Sequence, residues 1–292
     1  MNTITLLLND KQINQLKNTW MDYLNDTIPP YALFQLKCEQ CTITCYESKK
    51  VVFQGKDALV YASPFQEKQM ILTDKSYSAA LIKDHAGSDE VGTGDYFGPV
   101  VVAACVVLEK DIAFLKELKV NDSKVVKDEM ILKIAPSIMK RLPHSLLILD
   151  NAKYNEVHKT NNLNKIKAKL HNQAYLHLSS KCSIPSFCVI DQFTPEKSYY
   201  GYLKDEKEVY TNLHFETKAE SKYLAVACAS IIARFAFLKA WQHMEETWDM
   251  SFNKGASSKV DEDILSFVDK YDENSLYKVA KVHFKNTNIL YL

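Results

Sequence analysis

The chain is poor in glycine, poor in arginine and without net charge. Seven glycines serve 292 residues, well under an average usage of roughly 7%. Arginine occurs only at Arg141 and Arg234, so lysine carries nearly all of the positive charge. Basic and acidic residues number 36 each. A polyanionic partner would therefore be met by local basic patches, not by an overall field. No apolar run approaches the roughly 20 residues of a membrane-spanning helix. The first residues lack the basic region and apolar stretch of a secretory signal. The seven cysteines are an odd number and lie mostly in apolar segments, such as Cys105 and Cys228. That usage suits a reduced, cytoplasmic protein with no membrane role. The phosphate loop with Gly-Lys-Ser/Thr is missing. The spacing Gly92-x-Gly94-x-x-x-Gly98 is not a dinucleotide fingerprint, and a β-branched run follows it, not a helix start. No Ser-His-Asp or Cys-His arrangement stands out, and no organic cofactor is expected.

What glycine there is, is concentrated. Four of the seven lie between positions 87 and 98, in Gly87-Ser-Asp-Glu-Val-Gly-Thr-Gly-Asp-Tyr-Phe-Gly98. Glycine serves where backbone turns tightly or lets another group come close. This cluster encloses the adjacent acids Asp89 and Glu90, and a β-branched apolar run from Val100 to Leu108 follows. Regular strands point successive residues to opposite faces. If Asp89 and Glu90 are to share one metal ion, the strand is expected to end or bulge there.

The pattern divides the chain near residue 80. Residues 1–80 read as a small α+β module with as many acidic as basic residues. Helical spacing covers Gln12 to Leu24. Strand-like pieces follow at Tyr31–Lys37, Cys41–Glu47 and Val51–Gln54, with a hairpin turn at Ser48-Lys49-Lys50. Lys56 to Ser63 suits a second helix. Cys38-x-x-Cys41 could open a zinc site. However, no second Cys or His pair lies at a matching distance, and Cys41 and Cys45 fit strand alternation. Thr73 to Ser78 reads as a linker. From residue 81 to 292, strands alternate with longer helices, which indicates an α/β layer structure. Helices are expected over Lys127–Met139, Leu163–Ser179 and Leu224–Trp241, and strands near Asp89 and at Pro99–Leu108, Leu146–Leu149 and Phe187–Ile190.

Two further acids have unusual surroundings. Asp191 follows four apolar residues at a strand's carboxyl end, where α/β proteins place ligands. Glu220 precedes the long apolar helix. Taken singly, Glu220 could be a helix-start acid favoured by the macrodipole, Asp191 a turn residue, and Asp89-Glu90 a polar turn. Taken together, they are the several oxygen ligands that a hard cation needs.

At this point the residues resemble the bacterial ribonuclease HIII family, within the type 2 ribonuclease H group. Gly87 to Pro99 resembles its opening motif. The resemblance continues in order through Asp122-Ser123-Lys124, Lys153-Tyr154-Asn155, Leu170-His171-Asn172-Gln173-Ala174 and Ile190-Asp191-Gln192-Phe193. It then takes in Thr217-Lys218-Ala219-Glu220-Ser221, Ala229 to Arg234, Lys254-Gly255-Ala256 and His283 to Thr287. It implies a ribonuclease H-like mixed sheet flanked by helices, preceded by a substrate-binding domain resembling the TATA-binding protein fold. It implies an endonuclease that hydrolyses the RNA strand of RNA–DNA hybrids by two-metal-ion catalysis, leaving 5′-phosphate and 3′-hydroxyl ends. Asp89, Glu90, Asp191 and Glu220 would be the catalytic, metal-binding quartet for two Mg²⁺ or Mn²⁺ ions. Glutamate at the fourth position matches this family; ribonuclease HII usually has aspartate. Thr93 stands where ribonuclease HII typically has the arginine of Gly-Arg-Gly, a loop that helps to recognise an RNA–DNA junction. The expected substrate is therefore continuous hybrid, met by Gly92, Thr93 and Gly94 at the 2′-hydroxyl. Phosphate contacts are expected from Lys124, Lys218 and Lys254, with Ser123 and Ser221 as further substrate contacts or helix caps. A monomer is expected. Junction cleavage at single ribonucleotides, or hybrid binding without catalysis, are the alternative readings.

Overall fold

The structure is a computed structural model that describes residues 2–58, 60–63, 65, 84–120 and 127–291. The chain divides into two compact units, Met1–Ser78 and Ala79–Leu292. The expected linker at Thr73–Ser78 lies outside the described residues.

The first unit is a four-stranded antiparallel sheet in the order β1-β4-β3-β2. Its strands are β1 (Asn2–Leu7), β2 (Ala32–Cys38), β3 (Cys41–Tyr46) and β4 (Lys50–Gly55). Helix α1 (Asp10–Thr19) starts on a reciprocal cap. The Asn9 side chain accepts from Gln12 N at 2.9 Å, and the Gln12 side chain accepts from Asn9 N at 3.0 Å, which satisfies two donors that a helix start leaves open. Alternation sorts the strands: Leu6, Leu36, Ile43 and Phe53 are buried together. Thr3, Lys37 and Gln54 point the other way and are exposed. β1 was not anticipated, because Thr3-Ile4-Thr5 offers only a brief alternation. The hairpin at Lys49 is present, with φ 62 at that residue. Cys38 and Cys41 face each other across β2 and β3 and are buried in the core with Cys45. Among the described residues no metal-binding group of three or more such side chains occurs.

The second unit is built on a five-stranded mixed sheet in the order β7-β6-β5-β8-β9. The strands are β5 (His85–Val91), β6 (Val100–Val107), β7 (His144–Leu149), β8 (Cys188–Asp191) and β9 (His214–Glu216). β5 pairs antiparallel with β6 and parallel with β8. Helices in chain order are α2 (Ile112–Glu117), α3 (Asp128–Arg141), α4 (Asn151–His158), α5 (Leu163–Lys181), α6 (Glu196–Tyr202), α7 (Leu224–Thr247), α8 (Ser258–Lys270) and α9 (Leu276–Val279). β6 is buried along its whole length, as a central strand covered on both faces should be. One face packs on α7: Val101, Ala103 and Cys105 join Ala225, Ala229 and Ile232. The other face packs on α5: Val102, Ala104 and Val106 join Ala174, Tyr175 and Leu178.

The length and apolarity of α7 would by themselves suit a membrane span, contrary to the expectation from sequence. Yet 61% of its most apolar stretch is buried within the unit. Its small residues let it lie close on β5. A Cβ on Gly87 would sit 2.4 Å from Val226 N. Glycine is thus required here for close approach, not for a turn.

Candidate active site

The carboxyl ends of two neighbouring parallel strands carry the acids. β5 and β8 are paired through Ser88 and Ile190, and the next residues along are Asp89 and Asp191. The expected break in β5 at this point is not found. Pairing with β6 continues in register through Asp89, Glu90 and Val91. The break comes after Val91, where Gly92 takes φ 91 and a Cβ would strike Pro99 O at 2.1 Å. Because the strand stays regular, Asp89 and Glu90 diverge as a period of two demands. Asp89 turns to α7 and Glu90 to α5.

Glu90 is tightly held. Its Oε1 accepts from Lys167 Nζ at 2.7 Å and its Oε2 lies 2.8 Å from His171 Nε2. His171 is fully buried, and its Nδ1 lies 2.8 Å from Ser88 Oγ. Phe193 covers this group, 4.0 Å from the Lys167 ammonium to the ring centre and stacked on His171. Lys167 and His171 are four residues apart on one face of α5. Neither was selected from sequence as a site residue. The signal that could have found them is the i, i+4 spacing of two basic groups on a helix otherwise directed at the core.

Asp89 is nearly buried. Its Oδ1 accepts from Glu90 N at 2.7 Å. Burial pushes its carboxyl up to about 8, with repulsion from Glu90 and Asp191 adding to the rise and the Ser230 side chain on α7 opposing it. Glu90 moves the other way: burial raises it, but the His171 and Lys167 contacts outweigh burial. Burial and mutual repulsion thus push Asp89 up, while its basic partners pull Glu90 down. Asp191 is also raised, first by burial. Its Oδ1 accepts from Ala219 N at 2.9 Å.

That contact depends on a strained residue. Lys218 takes φ 55, a left-handed conformation that costs a non-glycine residue roughly 1–3 kcal/mol. The strain starts the short 3₁₀ turn Ala219–Ser221 and brings Glu220 in one residue after the Ala219 amide. Glu220 Oε2 is buried and has no hydrogen-bond partner.

The donor set fits a divalent cation. Asp89, Glu90 and Asp191 repel one another across a buried space, and Glu220 adds an unpartnered oxygen. All are hard oxygen donors, the type that Mg²⁺ and Mn²⁺ select. Among the described residues, no three such side chains converge closely enough to form a ready-made metal cage.

The remaining candidates are dispersed. Gly94 is exposed with open space around it, and Thr93 beside it is half-buried, so the two form the tip of the glycine loop. Lys218 is exposed, and Ser221 Oγ donates to its carbonyl at 2.8 Å. Lys254 Nζ pairs with Asp128 at 2.9 Å, and Arg234 donates two bonds to the same carboxylate. Those contacts hold Asp128 below the usual carboxylate range. Ser123 and Lys124 lie outside the described residues.

Comparison with known proteins decides the family. A family model described as Ribonuclease HII matches residues 86–287. Another, described as a domain of unknown function, DUF3378, matches residues 3–78. Ribonuclease HIII of Bacillus mycoides (strain KBAB4) is 40% identical, over 98% of this chain and 96% of its own length. The chain belongs to the ribonuclease HIII family. Ribonuclease HIII of Bacillus pumilus (strain SAFR-032) is likewise 40% identical, over 95% of this chain and 94% of its own. The crystal structure of Bst-RNase HIII in complex with Mn²⁺ has a TM-score of 0.71 at 35% identity, covering 99% of this chain and 97% of that one. Aquifex aeolicus RNase H3, at 22% identity and a TM-score of 0.58, shares the fold. Ribonuclease HIII enzymes are hydrolytic endonucleases that cleave the RNA of RNA–DNA hybrids, and divalent-metal catalysis goes with the family.

Proposed function

We propose that Asp89, Glu90, Asp191 and Glu220 are the catalytic quartet of this endonuclease and hold two divalent ions, Mg²⁺ or Mn²⁺. The observation that carries this reading is the buried, mutually repelling set Asp89–Glu90–Asp191 beside the unpartnered oxygen of Glu220. When bound, two such ions supply a nucleophilic water and charge stabilisation for the leaving 3′-oxygen. The products would carry 5′-phosphate and 3′-hydroxyl ends. The chain's own part is to bind, orient and discriminate. Ser230 and the Glu90 amide orient the Asp89 carboxylate. Lys167 and His171 hold Glu90 at the cleft. The exposed tip at Thr93-Gly94, with Gly92 behind it, approaches the ribose, where the 2′-hydroxyl distinguishes RNA from DNA. Exposed Lys218 meets a phosphate, with Ser221 three residues on, and Ser123 and Lys124 are assigned to the same backbone contacts from the sequence motif alone. Asp128 orients Lys254 toward the same backbone.

Residues 81–292 form the catalytic domain on this reading and residues 1–80 bind substrate. Support for the second part lies on the open face of the first sheet. Thr3, Gln54, Thr42 and Lys37 form one row across four strands, by the registers Thr3↔Gln54, Thr42↔Gln54 and Lys37↔Thr42. Short polar side chains and a lysine on a sheet suit sugar and phosphate contacts. A likeness to the TATA-binding protein fold, action as a monomer and residence in the cytoplasm belong to the same reading. Asp89→Asn tests the quartet. Cleavage of a continuous hybrid should fall by roughly a thousandfold or more, while hybrid binding in EDTA stays within about threefold. Full activity in that variant overturns the assignment. Equal cleavage of duplex DNA carrying one ribonucleotide would favour the junction reading instead.

A further inference from the structure

The glycine loop is held from behind by one fully buried ammonium group. Lys281 has no exposed surface. Its Nζ donates to the carbonyls of Asp95 at 2.8 Å and Gly98 at 2.5 Å, with Phe97 O at 3.4 Å. Its backbone adds to the grip: Lys281 N donates to Tyr96 O at 2.8 Å. Gly98 N donates to Val279 O at 2.9 Å, and Phe97 forms an isolated antiparallel bridge with Ala280. Asn151, on α4, adds a bond from its Nδ2 to Gly98 O at 2.9 Å. Asn155, one turn on, ties down the lysine's own segment by donating to Ala280 O at 2.8 Å and accepting from Val282 N at 3.2 Å.

A buried lysine is costly unless its donors are satisfied. Its ammonium also lies 5.9 Å from the centre of the Tyr154 ring. Only a cation or a strong donor gathers three carbonyls that all belong to one turn. Those carbonyls lie within four residues of Gly94. The other end of the turn is fixed as well: Gly255 N donates to Asp95 Oδ1 at 2.7 Å. The loop tip at Thr93-Gly94 thus projects from a turn that is pinned at Asp95, Phe97 and Gly98.

We infer that Lys281 is a positioning residue for substrate recognition: its ammonium fixes the 95–98 turn and so sets where the Gly92-Thr93-Gly94 backbone meets the ribose of the RNA strand. The inference rests on the reading that this loop touches the substrate. It gives the C-terminal segment, remote in sequence from the quartet, a part in distinguishing RNA from DNA.

The test uses the full chain. Dissociation constants in EDTA are measured for a continuous RNA–DNA hybrid and for the DNA duplex of the same sequence, together with KM and kcat on the hybrid. In Lys281→Met the preference for hybrid over DNA should fall about tenfold and KM should rise by a similar factor. The kcat at saturation should stay within about threefold. A merely structural role would lower the active fraction, and hence kcat, and leave the preference unchanged. That result overturns the inference. If Lys281→Met does not fold, Asn151→Ala decides: a drop in preference of about two- to threefold supports the clamp, and an unchanged preference refutes it. Gly94→Ala separates the two levels. If it leaves the preference unchanged, the loop reading itself is wrong. If it lowers the preference and the clamp variants do not, only the role of Lys281 falls.

Discussion

Alanine at position 87 adds one methyl group where β5 and α7 meet. The added carbon would lie 2.4 Å from Val226 N, 2.7 Å from Ala225 C and 2.7 Å from Val226 Cγ2. Ordinary carbon contacts begin near about 3.5 Å, so strand and helix must part by about 1 Å. Two of the three obstacles are backbone, so no rotamer change relieves them. Overpacking of this kind costs about 1–3 kcal/mol, and the upper end applies here. For a unit of this size each kcal/mol lowers Tm by roughly 2–4 °C, so a loss of about 6–12 °C is expected by calorimetry. Activity should fall further than stability implies. Ser230 lies one helical turn beyond Val226 on the same face of α7, and it contacts Asp89, two residues beyond Gly87 on the same face of β5. A displacement of about 1 Å there should lower kcat about a hundredfold at temperatures where the variant is folded. Gly94→Ala is the control, since nothing lies within 4 Å of its added methyl. Its Tm should change by less than about 2 °C. A Gly87→Ala protein with wild-type Tm and kcat would refute the idea that this glycine sets the strand–helix distance.

Three further outcomes follow from particular contacts. Lys167→Met leaves the carboxylate of Glu90 with His171 alone; breaking a buried pair on one side costs about 3–5 kcal/mol, less here because a tenth of each side chain is exposed, so urea midpoints at pH 7 should show a loss of about 2–3 kcal/mol. Glu90 is held below its ordinary range, so that pair stabilises the fold above the unfolded carboxyl value, and the difference between variant and wild type should shrink as pH falls below that value through the lower folded one. Burial displaces Lys281 downward, to about 7, while Asp95 opposes and the three carbonyls, which accept best from the ammonium, act in the same sense as Asp95; the unfolded chain binds its proton up to about 10.5, so stability should rise with pH above the folded value towards pH 10, and chemical denaturation of Lys281→Met should lack that rise. Lys37→Glu on the open face of the first sheet should weaken hybrid binding about five- to tenfold at moderate salt and flatten the salt dependence, while an unchanged slope would exclude that face from the phosphate contacts.

The sequence by itself determined the chemistry. Four acids with unsuitable neighbours, a glycine cluster at the mouth of a β-branched run and an ordered set of motifs were enough to mark the family and the sheet, and to single out the four acids proposed as the quartet. Such features are local, and local features survive in a linear reading. It also marked the long helix α7, since apolar residues all round leave a helix nowhere but a core or a membrane to go. Short elements escaped it. β9 has three residues, and α4 is polar without an apolar stripe, so neither carries a period to detect.

Only the tertiary structure decided what holds the acids. Lys167 and His171 are some 80 residues from Glu90 in the chain, and Lys281 is farther still from the turn it grips. The i, i+4 spacing of Lys167 and His171 on a core-directed helix hints at a shared partner but does not name it, and Lys281 carries no local signal at all. Their partners are fixed by which strand lies beside which helix, a matter of packing between distant segments. The course of β5 was also settled there. Read alone, Asp89-Glu90 before two glycines suggested an interrupted strand. Pairing with β6 satisfies the backbone through Val91, so the strand runs on, and the two acids are sent to opposite faces to be held by different helices.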